Sequence, residues 1–184
     1  MNLKLVDPTP FGPVAFLWSD RGGAPTIFRV LLSRPGQPAE RHAADLYPDA
    51  RRGSCPEIDA AAALIRAFLG GDPVVFPLDL VALGTRPAFQ QAVLRAEHAI
   101  PRGRVSTYGL IAAHLGKPGA GRAVGNALAT NPFPLIVPCH RAVRADGSLG
   151  GFQGGPAMKR ALLGMEGLVF DRAGRIAAPR FHYS

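Results

Sequence analysis

Thr107 to Thr130 reads TYGLIAAHLGKPGAGRAVGNALAT, and its spacing predicts two short helices around a glycine-bearing turn. Thr107 places a hydroxyl at the start of the first helix, which runs to about Leu115 with Ile111 and Leu115 inward and Gly116 as its stop. After the turn Gly116 to Gly121, Arg122 to Thr130 resumes helical spacing through Val124 and Leu128. This is a helix-turn-helix pattern. Many helical hairpins share it without touching nucleic acid, so it needs support from the rest of the chain.

Outward from this stretch the second half stays helical. Phe89, Ala92, Val93 and Ala96 form one apolar face that ends before Pro101. Met158, Ala161, Leu162 and Met165 recur at i, i+3, i+4 and i+7, a core stripe rather than a cofactor box. The first half reads differently. Val14–Trp18 and Thr26–Leu32 are short apolar runs with Asp20-Arg21-Gly22-Gly23 between them, which predicts a hairpin. Pro35 to Pro48 reads as loop, and Glu57 to Leu69 as a helix carried by Ala61, Leu64, Ile65 and Phe68 and ended by Gly70-Gly71. Pro73 to Pro87 reads as a connection, so the expected division is an α/β domain over residues 1–80 and a mostly helical one over 81–184.

The 184 residues, 47% hydrophobic and 18% charged, suit one or two small domains and exclude wholesale disorder. No apolar run nears the ~18 residues of a membrane helix; Val74–Leu83 is broken by Pro77 and Asp79. Met1–Pro10 lacks the apolar stretch of a secretory signal. Two cysteines make no disulfide framework. The expectation is a soluble, cytoplasmic, monomeric protein with free thiols and no membrane partner.

The net charge of +8 is uneven: residues 1–85 carry 8 basic and 9 acidic side chains, residues 86–184 carry 13 and 4. Of the 21 basic residues 18 are arginine, whose planar fork suits phosphate. A basic half of this kind attracts polyanions, nucleic acid foremost. Arginine-rich coding bias accounts for the total, but not for the asymmetry.

One segment carries chemistry. Leu135-Ile136-Val137-Pro138-Cys139-His140-Arg141 runs apolar chain into a cysteine flanked by proline, histidine and arginine. A thiol is a weak nucleophile until ionised, and lowering its pKa by about 2 units makes most of it thiolate at neutral pH. Arg141, His140 and a nearby helix N-terminus are neighbours expected to do this, while Pro138 stiffens the presentation. Cys55, in Ser54-Cys55-Pro56, lacks such neighbours. Adjacent Cys139 and His140 do not chelate one metal readily, and no C-x-x-C or H-x-x-x-H spacing exists, so no metal and no cofactor are expected. In an extended chain neighbours point to opposite faces, so His140 reaches Cys139 only across a sharp bend or through water. The plain alternative is a buried cysteine beside a surface His-Arg pair.

Pro138-Cys139-His140-Arg141, preceded by Asn131-Pro132 and Arg122-Ala123-Val124-Gly125, resembles the active-site region of the O6-alkylguanine-DNA alkyltransferases. The similarity runs from about Gly84 to Gly167 and includes Phe89-Gln90, Ile100-Pro101 with Gly103, Val105-Ser106-Thr107-Tyr108 and Glu166-Gly167. Toward the start only Thr9-Pro10-Phe11-Gly12 matches loosely. The resemblance implies an N-terminal ribonuclease-H-like α/β domain and a C-terminal mostly helical, winged-helix-like DNA-binding domain. It implies a protein that binds the minor groove of double-stranded DNA, flips an alkylated guanine (or O4-alkylthymine) outward and moves the alkyl group irreversibly to its own cysteine. Carried onto this chain, Cys139 is the acceptor, His140 deprotonates it through water, Glu166 orients the imidazole, Tyr108 bonds the purine ring nitrogen and Asn131 holds the turn. Arg122 fills the space the base leaves, with Ala123, Thr107 and Arg141 also at the DNA. Pro138, Ala142, Phe152 and Gln153 border the substrate.

Departures from the family pattern bear on substrate range and rate. Phe152-Gln153 stands where Tyr-Ser is usual, Ala142 where valine is, and Leu94 where tryptophan is. Three other readings compete: a non-catalytic alkyltransferase-like damage sensor, a helix-turn-helix regulator, and a cysteine hydrolase. The first lacks the cysteine that this chain has. The regulator predicts preference for one undamaged sequence, and the hydrolase repeated turnover on esters or amides.

Overall fold

Val14 to Trp18 is apolar at every position, the pattern of a strand covered on both faces. In the computed structural model, which describes residues 1–184 apart from the side chain of Arg21, this run opens β2 (Val14–Arg21). It pairs antiparallel with β1 (Asn2–Val6) on one side and β3 (Ala24–Leu32) on the other. The hairpin turns through Gly22 and Gly23, both at positive φ, where side chains are strained. β4 (Arg51–Arg52) adds in parallel to β1, giving the order β3-β2-β1-β4.

Two helices belong with this sheet. The stretch Pro35–Pro48, expected as loop, contains α1 (Ala39–Leu46). Only Ala39 and Ala43 of its residues turn inward, onto Leu3, Ala15, Leu17 and Leu31. Two alanines one helical turn apart are too little apolar surface for a sequence pattern to register. α2 (Pro56–Leu69) buries Ile58, Ala61, Ala62, Ile65, Phe68 and Leu69, an inward stripe at helical spacing behind an N-terminal proline.

The chain separates into two compact units, Met1–Thr85 with Pro132–Ile136, and Arg86–Asn131 with Val137–Ser184. The first change of unit falls inside Pro73–Pro87. The short return is part of the first unit's backbone network, since the Val30 N–H donates to the Pro132 carbonyl at 2.8 Å.

The second unit is mostly helical. α3 (Ala88–Ala99) buries Val93, Leu94, Ala96 and, against expectation for a charged residue, Glu97. β5 (Ser106–Thr107) leads directly into α4 (Tyr108–His114), whose first turn is capped by Thr107 Oγ1 accepting from the Leu110 N–H at 3.1 Å. Gly116, at φ +69°, ends the helix in a conformation that favours glycine. α5 (Gly121–Ala129) follows, completing the helix-turn-helix. At Gly121 the start of α5 lies close to α4: a Cβ there would make an ordinary contact, 3.5 Å from the Gly109 backbone nitrogen. β6 (Ala142–Val143) pairs in parallel with β5, and α6 (Gly155–Met165) buries Met158, Lys159, Leu162 and Leu163. Val105, Val143, Leu163 and Ile176 form one apolar cluster of this unit. Among the described residues no helix is long and apolar enough to cross a membrane.

Candidate active site

Residues Cys139–Arg141 form a single 3-10 turn rather than extended chain, so the backbone bends sharply at Cys139 and His140. The turn is closed by the Arg141 N–H donating to the Pro138 carbonyl at 2.8 Å, and the Cys139 N–H donates to the Val137 carbonyl at 2.8 Å. Just upstream, the buried Asn131 donates from Nδ2 to the Val137 carbonyl at 3.2 Å, tying the end of α5 to the residue two before the cysteine.

Cys139 is only 6% exposed, and it lines a cavity of about 180 Å³ with Tyr108, Gly125, Leu128, Ala129, Gly151, Phe152 and Gln153. A cavity of about 150 Å³ lined by apolar side chains holds benzene, so this one matches the scale of a single aromatic ring system. Of the predicted residues, Cys139, Tyr108, Phe152 and Gln153 meet at its wall. Pro138 and Ala142 are not among the lining residues; both are buried, and Ala142 is held in β6 opposite Ser106. Gly125, Leu128 and Ala129 of α5 join the wall instead. Gly150 lies at φ +67° with space for a Cβ only 2.8 Å from Tyr108 Oη, so a glycine lets the tyrosine lie against that loop.

The two residues that follow the cysteine in the turn belong to a buried ion network. His140 Nε2 and Glu166 Oε1 are 2.9 Å apart, and both side chains are fully buried. Arg141 donates from Nε to Glu166 Oε2 at 3.0 Å, from Nη2 to Oε1 at 2.8 Å, and from Nη1 to the Ile100 carbonyl at 2.6 Å. Burial alone raises the Glu166 carboxyl, but hydrogen bonds and charge from His140 and Arg141 reverse this and hold it at about 2. An ionised carboxylate only accepts, so Nε2 of His140 carries its proton and Nδ1 is the basic nitrogen. Burial pushes the imidazole below its ordinary value, so it is neutral at physiological pH.

Three expectations are corrected here. Arg141 does not face outward toward DNA; it is buried, and its guanidinium is matched to Glu166. Nor is Cys139 an ionised thiol at rest. Burial pushes it up to about 11, against the opposing pull of an Asn131 hydrogen bond. Desolvation of a charged sulfur outweighs both the Asn131 hydrogen bond and the Lys159 charge that favour it. Thr107, placed with the DNA-contacting residues, is buried and its hydroxyl caps α4. Arg122 and Ala123 are exposed near the start of α5.

The sequence reading also passed over two buried charges. Lys159 donates from Nζ to the Ala142 carbonyl at 2.6 Å and the Gly151 carbonyl at 3.2 Å, joining β6 to the cavity wall. Glu97 is fully buried near it. A signal for Glu97 was present, since it lies four residues after Val93 on the inward side of α3. Lys159 carries no such mark, being one charged residue beside a core stripe.

Residues 88–168 match the family described as 6-O-methylguanine DNA methyltransferase, DNA binding domain. The chain is 37% identical over 166 residues to a methylated-DNA–protein-cysteine methyltransferase of Mycobacterium bovis, covering 90% of this chain and 92% of that protein. With the protein of the same name from Methanothermobacter thermautotrophicus it is 46% identical over 107 residues, 58% of this chain and 60% of that one. Among solved structures, Mycobacterium tuberculosis OGT in complex with DNA superposes with TM-score 0.70 at 31% identity, over 90% of this chain and 92% of that one.

Proposed function

This chain belongs to the methylated-DNA–protein-cysteine methyltransferases, and from that premise we propose that it repairs duplex DNA by taking the alkyl group of O6-alkylguanine onto Cys139. The observation that carries the assignment is the meeting of Cys139, Tyr108 and Phe152 on one ring-sized cavity, with the buried His140–Glu166 pair joined to the turn that bears the sulfur.

The steps follow from the charge states. The resting thiol is neutral, so a proton must leave sulfur as the alkylated base arrives. Neutral His140 takes it through water at Nδ1, and Glu166 stabilises the imidazolium that results. The thiolate attacks the alkyl carbon in line, an S–C bond forms, and the C–O bond breaks with its electron pair left on the guanine. Burial raises the Tyr108 phenol, which keeps its proton and donates it as a hydrogen bond to the departing anion. Cys139 is the one thiol among the lining residues, so no neighbour takes the alkyl group onward and each molecule acts once.

Arg122 fills the gap left by the flipped base, with Ala123 letting the backbone of α5 approach the minor groove. Base flipping costs a few kcal/mol of stacking, which an inserted side chain offsets. With chromosomal DNA as substrate, the place of work is the cell interior, and one molecule suffices for one lesion.

The test is mass spectrometry of the Cys139 peptide after incubation with methyl- and benzyl-guanine duplexes. A gain of one alkyl group is expected. A folded, DNA-binding sample with no gain overturns the assignment, and lesion binding that persists unaltered in Cys139→Ala with no transfer by the wild type is what a sensor gives. O4-alkylthymine, run beside these, reads substrate range.

A further inference from the structure

Arg141 has Glu166 as its counter-charge, but the second buried cation of this unit has no such partner in contact among the described residues. Lys159 is 0% exposed, and its ammonium meets two neutral carbonyls, Ala142 and Gly151. Gly151 is itself part of the cavity wall. Glu97 is also 0% exposed, and neither carboxylate oxygen makes a hydrogen bond among the described residues. A buried ammonium short of negative charge and a buried carboxyl short of donors are each costly alone. Both occur on helices, α3 and α6, that pack around the turn bearing Cys139.

We propose that Glu97 is a positioning residue for the alkyl-transfer reaction: by holding a proton it leaves the Lys159 charge uncompensated behind Cys139, and by releasing it removes that support. The inference rests on the transfer reading given above. The groups that bear on Glu97 are Lys159 of α6, Arg141 and Cys139 of the turn, Tyr108 of α4, Tyr183 near the C-terminus and the Ala142 amide, while Arg144 also bears on Lys159. His140 of the turn also faces Lys159, but burial holds the imidazole below its ordinary value and therefore neutral across this range. Arg141 is neutralised by Glu166 and the tyrosines stay protonated, which leaves the Glu97–Lys159 couple to vary the charge in this wall above neutral pH.

The direction is fixed by physics. Charged Lys159 favours the thiolate and ionised Glu97 opposes it. Burial pushes Glu97 up to about 8 and brings Lys159 down to about 8. Below that pH the wall carries a net positive charge; above it the charge is lost and then reversed. Transfer therefore rises less steeply above about pH 8 than an isolated thiol at about 11 would give.

The experiment compares wild type, Glu97→Gln and Glu97→Leu, all with Cys55→Ser so that one thiol reports. Single-turnover transfer and ultraviolet thiolate absorbance are followed against pH. The ratio of variant to wild-type rate is expected to rise roughly threefold between about pH 6.5 and about pH 9.5, equivalent to about half a pKa unit. A thiolate titration lower in the variants than in wild type is expected with it. A ratio constant with pH, as a structural role alone gives, overturns the inference. A wild type that transfers nothing overturns the functional reading instead, and the thiolate titration then decides this one. Carboxyl NMR of unmutated protein labelled at its four glutamates, Glu40, Glu57, Glu97 and Glu166, needs no variant. One signal titrating near pH 8 is expected, and its absence overturns the inference.

Discussion

The Arg141 guanidinium and the Glu166 carboxylate face each other through three charge-assisted hydrogen bonds, 2.8, 3.0 and 3.1 Å long. The cation nearest the cysteine in sequence is thereby turned away from it and used to keep an acid ionised. That acid orients His140. The arginine is linked to the imidazole through Glu166 rather than placed beside the sulfur.

Removing one member of this pair leaves a buried charge uncompensated. Arg141→Ala is expected to lower unfolding free energy by about 3–5 kcal/mol, measured by urea titration. Arg141→Lys, with one ammonium in place of a fork, recovers only part of the loss. Full recovery by lysine would show that geometry is unimportant there.

Glu166 sets an acid limit. Its carboxyl lies at about 2 in the folded protein against an ordinary 4.5. A depressed acid contributes stability above its unfolded value, and that contribution is lost as pH falls from about 4.5 through about 2. Glu166→Gln should therefore show a flatter loss of stability over this window than wild type. Parallel curves would refute the assignment.

Glu97 works in the opposite sense. Its folded value, about 8, stands above 4.5, so the folded state holds a proton that the unfolded state releases, and stability falls as pH rises across that window. Glu97→Leu removes this term and is expected to gain stability relative to wild type between about pH 5 and about pH 8. Denaturant midpoints at the two ends check it, and an unchanged difference counts against it.

Arg122→Ala separates flipping from chemistry. Loss of at least about tenfold, roughly 1.4 kcal/mol, is expected in the transfer rate from duplex DNA, with reaction toward free O6-benzylguanine retained. Equal losses on both substrates contradict the intercalating role.

Gly150→Ala places a Cβ 2.8 Å from Tyr108 Oη at a backbone φ of +67°. A destabilisation of about 1–2 kcal/mol is expected from the backbone alone, together with slower transfer as Tyr108 is displaced. Gly71→Ala, in the other unit, is the control, because its φ of +104° is also positive but nothing lies within 4 Å of the Cβ it adds. Equal effects at the two positions would remove Tyr108 from the explanation.

Local signals were read well where the physics is local. The hairpin, α2 and the Thr107 cap each follow from a few adjacent residues. α1 escaped because its inward face is only Ala39 and Ala43, and β1 because Asn2–Val6 is short and lies near the chain start. Lys159 escaped because a charge is ordinarily a surface residue.

What the order of residues determines alone is the machinery: a cysteine between proline and histidine, a capped helix-turn-helix, and a basic second half, all set by near neighbours in the chain. The tertiary structure decides the charge states. Arg141 meets Glu166 across 25 residues, Lys159 reaches Ala142 across 17, and Cys139 is desolvated by the packing around it. Ionisation depends on what surrounds a group in space, and a buried dielectric with its partners exists only once the chain has folded.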